Sequence, residues 1–171
     1  MKKNKIKILT AVLPLLLLSY GICYSLDEVV TVPAEDPAGV VVELPAGTYV
    51  AQIESGGVTL HFPIHPNYCW LYAVLIGTDV KGGQDEANIG SLYVDPDPKV
   101  FTQTEAEKAA LKALKEEKKG TYVAFELKEK KEVRFWVSDY DYSDNSGSVK
   151  VRVYSVEKQK PESAPKSKEK K

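Results

Sequence analysis

Apolar and polar residues alternate over several short segments of the chain. The clearest example is close to the C-terminus, where Val149, Val151 and Val153 are separated by polar residues. A period of two is typical of a strand with one buried face. The same pattern, interrupted by turn signals rich in Pro and Gly, predicts strands at 40–44, 48–54, 70–76, 121–127, 133–137 and 149–153. Short strands without a strand–helix–strand rhythm predict an all-β fold of the β-sandwich type.

One segment has a helical pattern instead. Thr104-Glu105-Ala106-Glu107 has the form of a capping box, and the residues at 109–118 are strong helix formers. Gly120 stands where a C-cap glycine would end the helix. Because its apolar stripe is narrow, we expect this helix on the surface, within an insertion at about 78–119 between two sandwich strands.

The two ends of the chain differ from its middle. Residues 1–7 are basic and residues 8–22 are apolar, a run too short for a spanning helix of about 20 residues. Residues 1–25 are therefore predicted to be a signal peptide cleaved before Leu26, with lipidation at Cys23 or an uncleaved anchor as alternatives. Either way the folded domain at 26–157 would be exported, secreted or periplasmic, and no span is expected in the mature chain. The Lys-rich tail at 158–171 is predicted to be disordered.

Charge and cysteine content narrow the classes of partner. The chain has a formal charge of −1, which becomes −5 without the four lysines of the leader and about −9 without the basic tail as well. An acidic domain repels phosphate backbones, so nucleic acid is not an expected partner, whereas cations are favoured. Removal of the leader leaves Cys69 alone, so no intramolecular disulfide is possible.

The segment from Ser138 to Ser148 carries the candidate chemistry. It places Asp139, Asp141, Asp144 and Asn145 within seven residues. Ca²⁺ takes six to eight oxygen ligands from carboxylates, amides and carbonyls, which a loop of this composition supplies. The spacing is not that of an EF-hand. Asp, Asn, Ser and Gly are also ordinary turn formers, so a plain turn is the alternative.

The same residues resemble a known family. Asp144-Asn145-Ser146-Gly147-Ser148 and the strand after it resemble the C-terminal signature of the calcium-dependent galactophilic lectins of bacteria. Two further stretches resemble the family in order: Pro45-Ala46-Gly47 with its strand and Gly56, and Tyr72-Ala73-Val74-Leu75-Ile76-Gly77. The resemblance covers about half of the mature core, and it implies a jelly-roll-like β-sandwich that binds sugar through one calcium.

The resemblance also implies roles for single residues. Asp144 and Asn145 take the family's paired amide positions, with Asp in place of the first Asn, and Asp139 takes the upstream acidic ligand. Asp141 stands where the family uses a backbone carbonyl. A carbonyl near Thr59 or Leu60 would complete the calcium site, and Asp139, Asp141 and Asp144 would accept protons of the sugar hydroxyls. Tyr140 or Tyr142 could pack on the sugar, although packing within the protein is the alternative for both.

These observations predict a non-enzymatic carbohydrate-binding protein that requires Ca²⁺. The resemblance implies a galactose-type sugar and allows assembly into a homo-oligomer. No nucleophile elbow is present, and three acids in one loop suit a cation better than a separated acid and base. A structural or protein-interaction module of the cell surface or periplasm, in which calcium only stiffens a loop, is the alternative. A glycoside hydrolase is a third alternative.

Overall fold

The computed structural model describes residues 26–59, 69–78 and 87–156. The elements of this part of the chain are eight strands, one α-helix and one 3₁₀ turn at Tyr142–Asp144. The strands are β1 Asp27–Pro33, β2 Val40–Leu44, β3 Gly47–Thr59, β4 Trp70–Thr78, β5 Gly90–Val94, β6 Tyr122–Leu127, β7 Lys131–Trp136 and β8 Ser146–Ser155, and the helix α1 is Gln103–Lys115.

The strands form one antiparallel sheet that is nearly closed. Its hydrogen-bonded path runs β1-β8-β3-β4-β7-β2, while β6 pairs with β3 and β5 pairs with β4. One edge of β3 pairs with β8, and the other edge pairs with two strands in turn. On that second edge, the first half of β3 pairs with β6 and its last two residues pair with β4. The prediction of an all-β fold with one helix is confirmed at this level.

The interior of the sheet is filled by the alternating residues that the sequence pattern indicates. Val149, Val151 and Val153 of β8 are fully buried, and so are Val133 and Phe135 of β7. Aliphatic and aromatic residues from β1, β3, β4 and β5 complete one core. Burial of such side chains is the main favourable term in folding.

Strand β3 is longer than the sequence predicts. Ser55-Gly56-Gly57 was expected to end it, yet the strand continues to Thr59 through an irregularity between Ile53 and Ser55. Gly56 has a φ of +90°, and a Cβ there would lie 2.3 Å from the carbonyl oxygen of Ser148. The glycine therefore permits a close approach of β3 to β8 just after the irregularity, not a chain reversal.

Helix α1 begins and ends elsewhere than predicted. Its N-cap is Thr102, whose Oγ1 accepts a hydrogen bond from the amide of Glu105, so the capping box at Thr104 was wrong. The helix ends at Lys115, and Glu117 adopts a φ of +51°, so Gly120 is not the C-cap. The small residues Ala106, Ala110 and Ala113 are buried on the sheet side, which lets the helix lie close to β3 and β4.

Two strands have no counterpart in the prediction. β1 pairs with β8 along its whole length, and β5 pairs with β4 inside the segment at 78–119 that was interpreted as an insertion. That segment thus contributes a strand to the sheet as well as the helix. Within the described ranges, no helix is both long and apolar enough to cross a membrane. The predicted leader at 1–25 and tail at 158–171 lie outside the described residues.

Candidate functional site

The predicted calcium loop connects the end of β7 to the start of β8. It carries the chain past the end of β1, where the amide of Ala34 donates to the carbonyl of Gly147 at 3.0 Å. The loop is held from within by Tyr142, whose hydroxyl donates to the carbonyl of Val137 at 2.9 Å and accepts from the amide of Asp139 at 3.2 Å. The four candidate ligands are therefore presented on a braced loop.

Asp141 is used as a local cap. Its side chain is exposed, and Oδ1 accepts from the amide of Ser143 at 2.9 Å and from the hydroxyl of Ser143 at 2.6 Å. This arrangement starts the 3₁₀ turn Tyr142–Asp144. It corresponds to the turn-forming alternative that the sequence left open for the loop.

Asp139 and Asn145 differ from Asp141 in burial and in hydrogen bonding. Asp139 Oδ1 accepts from the amide of Tyr140 at 2.6 Å, but its Oδ2 is buried and accepts no hydrogen bond. Asn145 is 6% exposed; its Nδ2 donates to the carbonyl of Ala34 at 3.2 Å, and its Oδ1 is buried and accepts no hydrogen bond. Buried polar atoms are almost always satisfied, so two such acceptors in one loop need an explanation.

Asp144 and the end of β3 complete the surroundings. Asp144 is half-buried, closes the 3₁₀ turn and directly precedes Asn145. Thr59 lies opposite Ser146 in the β3–β8 register, and its Oγ1 accepts from the amide of Ser146 at 3.1 Å. Thr59 thus lies beside Ser146, the residue that follows the Asp144-Asn145 pair. A calcium ligand from the carbonyl of Thr59 stays a prediction, and Leu60 lies outside the described residues.

The two tyrosines of the loop have different environments. Tyr142 is half-buried and uses its hydroxyl within the loop, as the packing alternative predicts. Tyr140 is 91% exposed and sits directly beside Asp139. Of the two, Tyr140 is the ring that offers a free face to solvent.

The oxygen atoms of the loop fit a calcium ion in part. Buried oxygens of Asp139 and Asn145 without donors fit a hard cation, and the oxygen-only chemistry of the loop fits Ca²⁺. The capping role and exposure of Asp141 fit less well. No group of three His, Cys, Asp or Glu side chains that could hold a metal ion occurs in the described ranges, so an ion here would depend on Asn145 and backbone carbonyls as well.

The sequence analysis assigned no role to Arg134 and Trp136, which are buried on β7, the strand that precedes this loop. Arg134 is 4% exposed and Trp136 is 0% exposed, and each has a buried nitrogen that makes no hydrogen bond. The one signal in the sequence is the basic residue within the otherwise apolar run from Val133 to Val137.

Comparison with known proteins identifies no relative: no protein-family model, no curated protein and no solved structure matches this chain.

Proposed function

We propose that the chain is an exported, non-enzymatic protein that binds carbohydrate with the help of Ca²⁺ held in the loop from Asp139 to Asn145. Its nearly closed sheet would take the jelly-roll-like β-sandwich arrangement that the family resemblance implies. The observation that carries the proposal is the pair of buried, donorless oxygens, Asp139 Oδ2 and Asn145 Oδ1.

The burial of these two oxygens without a hydrogen-bond donor costs free energy. An ionised carboxylate oxygen that is removed from water without a donor destabilises the fold, and a buried amide oxygen does so to a smaller extent. A hard cation offsets both costs at once, because it is coordinated by oxygens and compensates the negative charge. The residues that would hold it are Asp139, Asp144 and Asn145, with backbone carbonyls as further ligands.

A bound Ca²⁺ would supply coordination positions that two neighbouring sugar hydroxyls can fill in place of water. The protein's own part is to hold the loop rigid and to accept hydroxyl protons. The hydroxyl of Tyr142 holds the backbone at Val137 and at Asp139, where the loop begins. Carboxylates that accept hydroxyl protons form charge-assisted hydrogen bonds, which are stronger than neutral ones.

Tyr140 supports a sugar as the ligand. An aromatic ring that is 91% exposed serves no packing purpose within the domain. Such a ring can cover the apolar C–H face of a sugar while its hydroxyl stays in water. Tyr140 directly follows Asp139 in the chain, which supports a sugar surface at the loop that would hold the ion.

A glycan array with the full mature chain tests the proposal. We expect binding to galactose-type glycans in millimolar Ca²⁺, its loss in EGTA, and a marked loss for Tyr140→Ala. Tyr122→Ala is the matched control, because Tyr122 is also exposed (54%) but lies on β6. Absence of any calcium-dependent signal would contradict carbohydrate binding, and turnover of chromogenic glycosides would contradict a non-enzymatic role.

A structural or interaction module is the second candidate. It is favoured by the burial of Asn145, which is 6% exposed and therefore suited to an ion that is enclosed and not shared with a ligand. In that case Ca²⁺ would raise the melting temperature of the domain while the glycan array stayed blank.

A further inference from the structure

Arg134 is buried in a position where a charged residue is uncommon. In β7 the side chains of Val133 and Phe135 enter the core, so Arg134 and Trp136 lie on the opposite face of the strand. Arg134 is nevertheless only 4% exposed, and Trp136 is 0% exposed. Fully buried arginines are rare unless an anionic group accompanies them.

Neutral groups hold the guanidinium in place. Nε donates to the carbonyl of Ala38 at 2.6 Å, and Nη2 donates to the carbonyl of Pro37 at 2.5 Å. The guanidinium also stacks over the Trp136 ring, with Cζ 4.7 Å from the ring centroid. These contacts orient the cation firmly, but none of them neutralises its charge.

Two donors, one on each of these residues, remain without acceptors. Arg134 Nη1 and Trp136 Nε1 are buried and make no hydrogen bond. No carboxylate of the described residues forms an ion pair with Arg134; the nearby turn carries Asp36, whose Oδ1 accepts instead from the amide of Ala38 at 2.8 Å. A buried water would satisfy the N–H groups, but it would leave the charge uncompensated.

We propose that Arg134 and Trp136 form a binding site for a small oxyanion, of the carboxylate or phosphate type. Nη1 carries two N–H groups beyond the fork that grips Pro37 and Ala38, and the indole N–H adds a third. An oxyanion would accept from these groups and supply the missing negative charge. The site uses none of the candidate calcium ligands, so it stands whether or not the loop binds an ion.

The site lies one residue layer below the surface. Pro37 and Ala38, whose carbonyls accept from the guanidinium, are themselves exposed. They belong to the turn between β1 and β2, not to a strand of the sheet. The guanidinium is therefore in direct contact with residues that reach the surface.

Indole N–H resonances of the ¹⁵N-labelled mature chain provide the test. The chain has two tryptophans, Trp70 and Trp136, so Trp136→Phe identifies the relevant signal. Formate and inorganic phosphate are titrated separately at constant ionic strength, up to about 100 mM, where a site with a Kd of about 10 mM is largely filled. We expect a saturable shift of the Trp136 signal and none of the Trp70 signal.

The two arms distinguish the anion class. Saturation with formate alone identifies a carboxylate site, and saturation with phosphate alone or with both admits phosphate. No saturable shift with either anion overturns the proposal.

The two arginines of the chain supply the matched variants. Arg134→Lys keeps the charge but loses the guanidinium geometry, and we expect binding about tenfold weaker or more, as for loss of one charge-assisted hydrogen bond. Arg152→Lys, at an exposed arginine paired with Asp27, should leave the titration unchanged. Equal effects of the two changes would contradict a site at Arg134. If Arg134→Lys does not fold, the wild-type titration still decides.

Discussion

Polar groups are treated differently in two regions of this molecule. Around β3, β8 and helix α1 they are paired across the fold. Gln103 Nε2 donates to the carbonyls of Gly57 and Ser148 at 3.1 and 3.2 Å, and Glu107 Oε2 accepts from the amide of Gly56 at 3.0 Å. Tyr72 donates its hydroxyl to the carbonyl of Lys150 at 2.5 Å, and burial raises the pKa of that hydroxyl well above its usual range.

The region around β3, β8 and helix α1 is the frame of the domain, and the stretch from Arg134 to Asn145 contrasts with it. Arg134, Trp136, Asp139 and Asn145 each carry a buried side-chain atom without a hydrogen bond. The chain is evidently able to satisfy buried groups elsewhere, and departures from consistency tend to mark functional sites. Donors without acceptors lie at the start of this stretch, and acceptors without donors lie in the loop. The two proposals accordingly assign an anion to the first place and a cation to the second.

The largest effect is expected from a change in the tightly packed frame. Gly147→Ala should lower the free energy of unfolding by about 3 kcal/mol, since it combines a strained φ with overpacking. Gly147 has a φ of +90°, and a Cβ there would lie 2.5 Å from the carbonyl oxygen of Gly57 and 2.6 Å from the Trp70 ring. Urea unfolding measures the change.

Gly47→Ala is the control for this prediction. The three atoms nearest to a Cβ at Gly47 all belong to the Tyr49 side chain, at 3.2–3.3 Å. The loss there should be clearly smaller. Similar losses for the two variants would show that the close approach of β3 and β8 is not a constraint.

An intermediate effect is expected where the frame meets the loop. Thr59 is 3% exposed, and its Oγ1 contacts both the amide and the hydroxyl of Ser146. Thr59→Val should cost about 1–2 kcal/mol, because it removes the acceptor of a part-buried amide. Thr31→Val, at an exposed position of β1, should change stability little. A neutral Thr59→Val would mean that the frame does not anchor the loop.

The smallest effect concerns an exposed ion pair. Arg152 donates to both carboxylate oxygens of Asp27, and this contact lowers the pKa of Asp27 below its ordinary value of 3.8. A lowered pKa in the folded state means stability that is present above the unfolded pKa and is lost as the pH falls through the folded pKa.

Asp27→Asn should therefore remove a small stabilisation near pH 7 and change stability least in acid, which flattens the dependence of unfolding free energy on pH below about pH 4. Denaturant melts from neutral to acidic pH measure this slope. An unchanged slope below pH 4 would show that the pair contributes nothing to folding.

The sequence predicted the fold best where one face of a strand is buried. β8 and β7 show a clean period of two, because their alternate residues fill the core. β5 has one fully buried residue, Leu92, so its sequence shows no alternation of apolar and polar residues that would predict a strand. The segment at 95–98, which alternates Asp and Pro, lies outside the strands, as its two prolines would lead one to expect.

The helix start shows how tertiary contacts decide between equal local signals. Thr102 and Thr104 are each followed by a Glu three residues later, so either pair fits a capping box. Glu107 is used instead to accept from the amide of Gly56 on β3. That leaves Thr102 and Glu105 as the reciprocal cap, with the amide of Glu105 donating to Thr102 and the Thr102 hydroxyl donating to Glu105.

The composition of the sequence located the candidate loop, but it could not show which aspartate of the loop plays which role. Asp139 and Asp141 are both loop aspartates two residues apart, and nothing local distinguishes them. Only the folded loop directs Asp141 to cap Ser143 and buries Asp139 Oδ2. Arg134 was missed because its burial depends on the turn at Pro37 and Ala38, almost a hundred residues away in sequence.

The most direct test of the central claim is a thermal melt of the mature chain with EGTA and with millimolar Ca²⁺, beside Asp139→Asn. The wild type should gain about 2.7 kcal/mol at 100 times its Kd for Ca²⁺. Asp139→Asn should melt higher than the wild type in EGTA, because it removes a buried charge without a donor, and lower in Ca²⁺. Glu132→Gln, at an exposed position of β7, should follow the wild type. Equal wild-type melts in EGTA and Ca²⁺, with Asp139→Asn melting at or below the wild type in both, would contradict a cation site in this loop.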